Sequence, residues 1–271
     1  MNTEKHQRSV TARFSAASAT YHEKADVQRI VAGNLSSLAS VGRPVERILE
    51  IGCGTGGLTE LLLEHFPAAA IDAIDVSREM IDRAQERLSS HDRVRWFVSD
   101  LRTYETTVSY PLIASSSSMH WISPVEDGLT LVADLLDAGG ELLAALMLHG
   151  TLGELRTMRL GVAPHKPPLG RLPLAEEVLS GLEKAGLRVL EKRQETIRKD
   201  YVSAGAFLRT IHEQGLTGGT VSSSERPLTR VELRRLTAGY DAGYGNGGSG
   251  VFASYEVLYV RAIKPVVCCG P

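Results

Sequence analysis

The chain has 271 residues, of which 43% are hydrophobic and 23% charged, and its formal net charge is −2. Such a chain is long enough for one large domain with an insertion, and its near-neutral charge excludes a strongly polyelectrolytic protein. No apolar run approaches 18 residues, so we expect no membrane-spanning helix.

Two further features indicate the compartment. Residues 1–10 are polar and lack an apolar signal core. The cysteines are Cys53 and the adjacent pair Cys268 and Cys269, without metal-ligand spacing. We therefore expect a cytoplasmic protein, no bound metal and no disulfide framework.

Residues 16–147 read as helices alternating with strands. The first expected elements, in chain order, are a helix over 16–38, a strand over 47–51, a helix over 57–65, a strand over 70–75 and a helix capped by Ser77. They are followed by strands over 94–98 and 111–116, a helix from Ser123-Pro124 to Leu136 that is ended by Gly139-Gly140, and a strand over 141–147. This alternation predicts a mostly parallel sheet covered by helices on both faces.

The alternation breaks after residue 148. Residues 149–173 read as an irregular crossing segment, followed by a helix over 174–185 and a strand over 187–195. Residues 200–250 read as helical pieces between glycine-rich turns, and 254–263 as a final strand.

Ile48 to Gly56 form the most informative stretch. A strand runs into a turn with glycines at 52, 54 and 56, and a helical pattern follows at once. Glycine permits positive φ and has no side chain to hold a ligand away. The G-x-G-x-G spacing, with no Gly-Lys-Ser/Thr behind it, favours an adenosyl ligand without phosphates over a dinucleotide. The alternative is a structural turn without a ligand.

Acidic residues follow the next two strands. Asp75 ends the second strand, where a carboxylate can accept hydrogen bonds from two ribose hydroxyls. Asp100-Leu101 follows the third strand, where the carboxylate and the next N–H could contact adenine, although an Asp there also commonly caps a turn. The combined pattern resembles class I S-adenosylmethionine-dependent methyltransferases.

This resemblance implies a Rossmann-like, doubly wound, seven-stranded α/β fold and S-adenosyl-L-methionine as cofactor. It implies one methyltransferase domain over 1–271, divided into a helical extension (1–42), a cofactor-binding core (43–148), a substrate cap (149–250) and a final strand and tail (251–271). The cofactor-binding residues that it implies are Glu50, Gly52, Cys53, Gly54, Gly56, Asp75, Val76, Met80, Asp100, Leu101 and Ser116.

The segment after the fourth strand departs from a common methyltransferase pattern. Many amine methyltransferases have Asn/Asp-Pro-Pro-Tyr there, whereas this chain has Ser116 to Ser118 followed by Met119, His120 and Trp121. The difference argues against methylation of nucleic-acid or amide nitrogen. His120 is a candidate general base, with packing beside the cofactor as the alternative.

A more specific resemblance covers nearly the whole chain. The opening Phe14 to Tyr21 with Ala25 and Gln28, the Gly150 to Leu155 segment and the Pro227 to Arg230 segment are similar to the malonyl-carrier-protein O-methyltransferases of biotin synthesis. The family often has an Arg-Phe pair where Arg171-Leu172 stands, and residues 212–226 also differ from its pattern. These departures concern the substrate pocket.

The resemblance implies methylation of the free carboxylate of a malonyl thioester on acyl carrier protein. Tyr21 would orient this carboxylate and Arg171 would grip it, with helix packing and a surface ion pair as their alternatives. Residues 1–150 carry a net charge of −7 and residues 151–271 carry +5. A basic face in 150–200 could therefore meet the acidic carrier protein, with ordinary solvated helix surfaces as the alternative. Its candidate residues are Arg156, Arg159, Lys166, Lys192, Arg193, Arg198 and Lys199.

Other functions share the cofactor motifs. Another small carboxylic acid or a quinone-ring carbon could accept the methyl group, or the protein could bind the cofactor without catalysis. A nucleic-acid partner is not expected, because neither a basic groove nor an appended binding module is evident. A membrane partner is not expected either, because the apolar runs are short.

Overall fold

The computed structural model describes residues 3–39, 44–168, 170–216 and 226–266, with the backbone alone for residues 3–10. Cys268 and Cys269 lie outside the described residues. The helices are α1 (Thr3–Lys24), α2 (Asp26–Ser36), α3 (Gly57–His65), α4 (Arg78–Arg87), α5 (Val125–Leu135), α6 (Gly153–Val162), α7 (Ala175–Lys184), α8 (Ala204–Glu213) and α9 (Arg230–Gly243). The strands are β1 (Arg47–Ile51), β2 (Ala70–Asp75), β3 (Val94–Val98), β4 (Tyr110–Ser116), β5 (Leu136–Met147), β6 (Arg188–Tyr201) and β7 (Val251–Ile263).

The strands form a seven-stranded sheet in the order β3-β2-β1-β4-β5-β7-β6. The pairs β1–β2, β1–β4, β2–β3 and β4–β5 are parallel. Gly139 N–H donates to the carbonyl of Lys264 and Leu148 N–H to that of Glu256, so β7 runs antiparallel to β5. The predicted mostly parallel α/β sheet is confirmed, and the carboxyl ends of β1, β2 and β4 share one edge.

Two compact units divide the chain. Unit 1 comprises residues 1–27, 147–172 and 195–257, and unit 2 comprises 28–146, 173–194 and 258–271. Unit 2 contains β1 to β4 with most of β5, and unit 1 contains α1, α6, α8 and α9. The single-domain division expected from the sequence stays a prediction.

Unit 2 follows its local sequence signals closely. The strands β1 and β2 have the predicted bounds, and their central residues are almost fully buried, as expected for parallel strands covered on both faces. Ser77 caps α4 as predicted, since its Oγ accepts a hydrogen bond from Met80 N–H at 3.2 Å.

The end of α5 differs from the prediction. The helix ends at Leu135, and β5 begins directly at Leu136. Gly139 and Gly140 do not terminate the helix. They lie in a register break of β5, where Gly139 has φ 79° and its N–H donates to the Lys264 carbonyl at 2.7 Å. The extra residues form a bulge, which glycine accommodates without strain.

Three other elements differ from the predictions. The expected N-terminal helix is two helices, because α1 ends at Lys24 and α2 begins at Asp26. The segment expected to be irregular contains α6, since its prolines come only after the helix ends. Strand β6 extends to Tyr201, and its last residues alternate between exposed positions and the covered positions of Ile197, Lys199 and Tyr201, of which Lys199 is half-buried.

Candidate cofactor-binding and catalytic site

The glycine turn between β1 and α3 is bonded to the end of β2. The N–H groups of Gly52 and Cys53 donate to the Ile74 carbonyl at 2.8 and 3.1 Å, and Gly56 N–H donates to the Cys53 carbonyl at 2.9 Å. Gly52, Gly54 and Gly56 have φ values of 71°, 54° and 85°, a region that glycine occupies without a Cβ penalty. The turn therefore places its backbone at the carboxyl edge of the sheet.

Gly52 and Gly54 have different surroundings. A Cβ on Gly52 would lie 1.8 Å from the Oγ of Ser118, so the segment after β4 packs directly on this glycine. A Cβ on Gly54 would have no described atom within 4 Å. Gly52 is thus the point where the glycine turn contacts the segment after β4, whereas Gly54 leaves space that a ligand can approach.

Asp75 links the glycine turn to α4. Its Oδ2 accepts from Gly54 N–H and its Oδ1 accepts from Ser77 N–H, both at 2.9 Å. Burial raises the pKa of the Asp75 carboxyl, and these N–H donors oppose the rise. A third backbone N–H, that of Val76, also acts on this carboxylate. A carboxylate has about four lone-pair sites, so this group retains acceptor capacity toward a ligand hydroxyl.

Glu50 lies beneath the turn on β1 and is only 1% exposed. Its Oε2 accepts a hydrogen bond from the Thr59 hydroxyl at 2.6 Å. Burial raises the pKa of Glu50 to about 8, and the negative charge of Asp75 adds to the rise. A nearby cation would reverse this shift, because an opposite charge favours the ionised carboxylate.

The other predicted residues of this edge are placed as follows. Cys53 is buried, and burial raises the pKa of its thiol, so the thiol is unreactive at neutral pH. Val76 is half-buried, and Met80 is buried in the first turn of α4. These three side chains can give the edge an apolar lining.

Asp100 and Leu101 follow β3 in a short 3-10 helix. Asp100 accepts from Arg102 N–H at 2.9 Å, and its two oxygens pair with the Arg102 guanidinium at 2.9 and 2.8 Å. Leu101 is buried. Asp100 thus caps a turn, as its alternative interpretation held, and its contact with adenine stays a prediction.

The carboxyl end of β4 carries two buried hydroxyls. Within the described ranges, the Oγ atoms of Ser116 and Ser117 have no hydrogen-bond partner. Ser117 has φ 55°, an uncommon value for a residue other than glycine. Buried hydroxyls without partners and a strained backbone together are typical of a ligand-binding position.

His120 lies in the short helix Met119–Trp121 that follows. Its side chain is buried, and its ring centroid is 5.0 Å from that of Trp121. Burial lowers the pKa of His120 to about 3. The imidazole is therefore neutral at pH 7 and a weak base, which agrees better with a packing role.

Tyr21 and Arg171 belong to unit 1, whereas the glycine turn, Asp75 and His120 belong to unit 2. Tyr21 lies on α1, and its half-buried ring meets the Phe14 ring edge-on at 6.1 Å. Arg171 is exposed, and its guanidinium donates to the Leu172 carbonyl at 3.3 Å. Their roles toward a substrate stay predictions.

The expected basic face requires a correction. Arg159 and Lys166 are only 7% and 8% exposed, so they cannot present charge to a partner. The exposed members of the set are Lys192, Arg193 and Arg198 on β6. Arg193 lies over the Tyr259 ring at 4.7 Å and Arg198 over the Phe252 ring at 3.7 Å.

Neither a metal-binding cluster nor a membrane-spanning helix is found among residues 3–39, 44–168, 170–216 and 226–266. No three His, Cys, Asp or Glu side chains there are grouped so that they could hold a metal ion. No helix in that part of the chain combines the length and the apolar character needed to cross a bilayer.

Comparison with known proteins identifies the family. Residues 49–142 match the family described as a methyltransferase domain. A malonyl-[acyl-carrier protein] O-methyltransferase from Hahella chejuensis is 34% identical, with 90% of this chain and 86% of that protein covered. One from Paenibacillus sp. is 30% identical, with 91% and 95% covered. This chain belongs to the malonyl-[acyl-carrier protein] O-methyltransferase family.

Solved structures confirm the fold. A protein from Bacillus halodurans C-125 described as a methyltransferase has a TM-score of 0.62 and 14% identity, covering 86% of this chain and 98% of that one. The N-methyltransferase NodS from Bradyrhizobium japonicum, solved with S-adenosyl-L-homocysteine, has a TM-score of 0.53 and 18% identity, covering 88% and 87%.

These comparisons confirm several predictions made from the sequence. They are the malonyl-[acyl-carrier protein] O-methyltransferase family, the class I α/β fold, the class of S-adenosylmethionine-dependent O-methyltransferases and the cofactor S-adenosyl-L-methionine.

Sequence reasoning about this family member missed Thr59, Ser117 and Ser118. Thr59 bonds to Glu50, 9 positions before it, and Ser118 packs on Gly52 from a segment that is distant in sequence. The run of four serines, Ser115 to Ser118, begins within β4 and differs from the Asn/Asp-Pro-Pro-Tyr motif. Its unusual polarity at a strand end is the signal that could have identified Ser117.

Proposed function

We propose that this enzyme transfers the methyl group of S-adenosyl-L-methionine to the free carboxylate of a malonyl thioester on acyl carrier protein, an early step of biotin synthesis. The similarity to relatives named for this substrate, which covers 90% of the chain or more, carries the proposal. The formed glycine turn and the acceptor capacity of Asp75 support it.

The residues at the sheet edge fit the cofactor. Gly54 leaves space for a close backbone approach, and Asp75 would accept a hydrogen bond from the ribose beside its bonds to backbone N–H groups. The unpartnered Ser116 hydroxyl and the buried Glu50 are suited to the cofactor's polar methionine end. Asp100 and Leu101 would lie beside the adenine.

When bound, S-adenosyl-L-methionine supplies a methyl group on a cationic sulfonium. A malonyl carboxylate is already ionised at pH 7, so the chain needs no base to activate it. The low pKa of His120, about 3, is compatible with such a reaction. We propose that His120 packs beside the site and does not move a proton.

The protein then contributes mainly by positioning the methyl donor and acceptor and by excluding water from the site. Methyl transfer from a cation to an anion removes charge in the transition state, so a site with little water favours it. In-line placement at contact distance supplies much of the remaining rate enhancement. The Ser117 hydroxyl, just after β4, is buried and has no partner among the residues that the structure describes, so it is suited to orient the acceptor.

Tyr21 and Arg171 are proposed to recognise the malonyl carboxylate. Arg171 offers a bidentate guanidinium and Tyr21 a hydroxyl donor. We expect Arg171→Ala to raise KM for the malonyl substrate about tenfold, the loss of one charge-assisted hydrogen bond. Tyr21→Phe should lower kcat. Normal malonyl turnover by both variants would contradict these roles.

The acidic carrier protein is proposed to meet the exposed basic residues of β6, in the cytoplasm. A charge-steered contact weakens as salt screens it. We therefore expect KM for the carrier-bound substrate to rise with salt, and Lys192→Gln to reduce that dependence. A KM that does not change with salt would remove this part of the proposal.

A methyl-transfer assay with a panel of acceptors tests the main proposal. Labelled S-adenosyl-L-methionine is supplied with malonyl-loaded carrier protein, malonyl coenzyme A, free diacids or a quinone precursor. We expect the malonyl thioesters to gain a methyl ester and the carrier-bound one to react best. Methylation of free diacids alone, or of a ring carbon, would overturn the proposal.

A further inference from the structure

A cavity of about 410 Å³ lies within unit 1, between α6, α8 and α9. Its volume falls within the range of small-molecule sites, about 300–1,000 Å³. The aliphatic side chains that line it are Leu155, Leu208, Ile211, Leu228, Leu233 and Leu236. Leu155, Ile211 and Leu236 are buried, whereas Leu233 is 45% exposed, so one wall reaches the surface.

Basic side chains also line this cavity. Arg159 contributes from α6, and Arg209 and His212 contribute from α8. Arg159 is buried, whereas Arg209 and His212 are exposed. Among the described residues that line the cavity, none is acidic. A guanidinium stays protonated even when buried, so the apolar walls surround positive charge.

One carboxylate that acts on Arg159, that of Glu232, is already engaged. Glu232 accepts from Lys166 Nζ at 2.7 Å and from Thr229 N–H at 2.6 Å, and His165 lies 3.4 Å from it. Its negative charge attracts Arg159 from outside the cavity lining but is shared with Lys166, which is itself buried. The described residues around the cavity thus carry more positive than negative charge.

We propose that this cavity is a second binding site, which takes a straight-chain aliphatic carboxylate. The aliphatic tail of this ligand lies against the leucine side chains, where its burial is favourable. The carboxylate of the ligand pairs with the guanidinium group of Arg159. A malonyl group has only one methylene and cannot fill such walls. The inference therefore goes beyond the proposed methyl acceptor.

Isothermal titration calorimetry of the full chain with decanoate tests this site. Decanol keeps the aliphatic tail without the charge, decylamine reverses the charge, and butyrate has a shorter tail. We expect decanoate to bind at least about tenfold more tightly than each of them, a difference of one charge-assisted hydrogen bond or several buried methylenes.

Variants locate the binding. Arg159→Gln should weaken decanoate binding about tenfold, and Arg159→Lys should weaken it less because the charge remains. Arg209→Gln, at an exposed position, should weaken binding a few-fold without disturbing the fold. Arg234→Gln is the matched control, since this exposed arginine of α9 does not line the cavity and should leave the affinity unchanged.

A cavity-filling variant covers the case in which Arg159→Gln fails to fold. Gly205 lines the cavity on α8, and a Cβ there meets nothing closer than 3.7 Å. Gly205→Leu should keep the fold, because leucine favours a helix, and should weaken decanoate binding at least about fivefold. Absence of decanoate binding would overturn the proposal, and so would equal affinity for decanol or unchanged affinity in both Arg209→Gln and Gly205→Leu.

Discussion

The glycine-turn edge of unit 2 and the helical part of unit 1 are built in different ways. At the glycine turn, backbone N–H groups meet Ile74 and Asp75, and glycine conformations fix the geometry. In unit 1, long-range side-chain pairs such as Lys166–Glu232 and Lys199–Asp26 join separate segments. A site made from backbone can be recognised in a short motif, whereas one made from distant side chains cannot.

The largest expected effect tests whether one carboxylate anchors the cofactor at the backbone-built site. Asp75→Ala removes the proposed ribose acceptor and the hydrogen bond from Gly54 N–H. We expect the Kd for S-adenosyl-L-methionine to rise about 100-fold or more, because hydrogen bonds to charged groups contribute about 1.5–3 kcal/mol each. Calorimetric titration measures this change.

Asp82→Ala is the matched control for that experiment. Asp82 is an exposed carboxylate on α4, seven positions further along the chain. This variant should bind the cofactor like the parent protein. Parent-like binding by Asp75→Ala would show that the sugar is not held at the end of β2.

A pair of glycine variants separates folding from binding at the turn. Gly52→Ala forces a Cβ against Ser118 at φ 71°, so we expect a loss of about 2–3 kcal/mol in the free energy of unfolding. Gly54→Ala has space, so its loss should be about 1 kcal/mol, from backbone strain alone. Urea unfolding measures both values.

The two glycine variants are also expected to differ in cofactor binding. Gly54→Ala should raise the Kd for S-adenosyl-L-methionine severalfold, because the new methyl group occupies space that the ligand approaches. Equal losses of stability in the two variants, or an unchanged cofactor Kd for Gly54→Ala, would contradict the distinction between these glycines.

The buried Glu50 of unit 2 predicts that the free energy of unfolding depends on pH. Burial raises its pKa to about 8, above about 4.3 in an unfolded chain, so the folded protein holds this proton more tightly. The stabilisation is complete below the unfolded value and is lost as pH rises toward about 8. The slope from this group is at most about 1.4 kcal/mol per pH unit.

Urea unfolding at pH 5 to 8 measures this slope. Glu50→Gln stays neutral and can still accept from Thr59, so its free energy of unfolding should depend less on pH than that of the parent protein. An unchanged slope in Glu50→Gln would mean that Glu50 is already ionised at low pH in the folded protein.

The smallest expected effect concerns a helix N-cap in each of the two units. Ser77 caps α4 in unit 2, and Thr229 caps α9 in unit 1 through a hydrogen bond from Glu232 N–H at 3.2 Å. Ser77→Ala and Thr229→Ala should each cost about 1 kcal/mol of stability. A much larger loss for one of them would show that its cap also supports tertiary contacts.

Local signals explain which parts of the fold were predictable. The bounds of β2 and the cap at Ser77 follow from neighbouring residues, so the sequence was sufficient for them. The glycine turn and Asp75 lie 21 positions apart and were joined by a known motif. Gly139 and Gly140 were misassigned because glycine ends helices and forms bulges equally well.

The remainder depends on contacts that the sequence does not display. Arg159 and Lys166 were expected at the surface because charged residues usually lie there, but helices distant in sequence cover them. The hydroxyl of Thr59 beneath the glycine turn and the Ser118 contact with Gly52 likewise arise only when separate segments meet.

The chain passes between its two compact units five times, at 27/28, 146/147, 172/173, 194/195 and 257/258. Neither unit therefore corresponds to one uninterrupted stretch of the gene. A deletion that removes the chain beyond residue 146 takes away the last strands of the sheet along with the helices. Exchange of unit 1 between homologous enzymes would consequently require three simultaneous grafts.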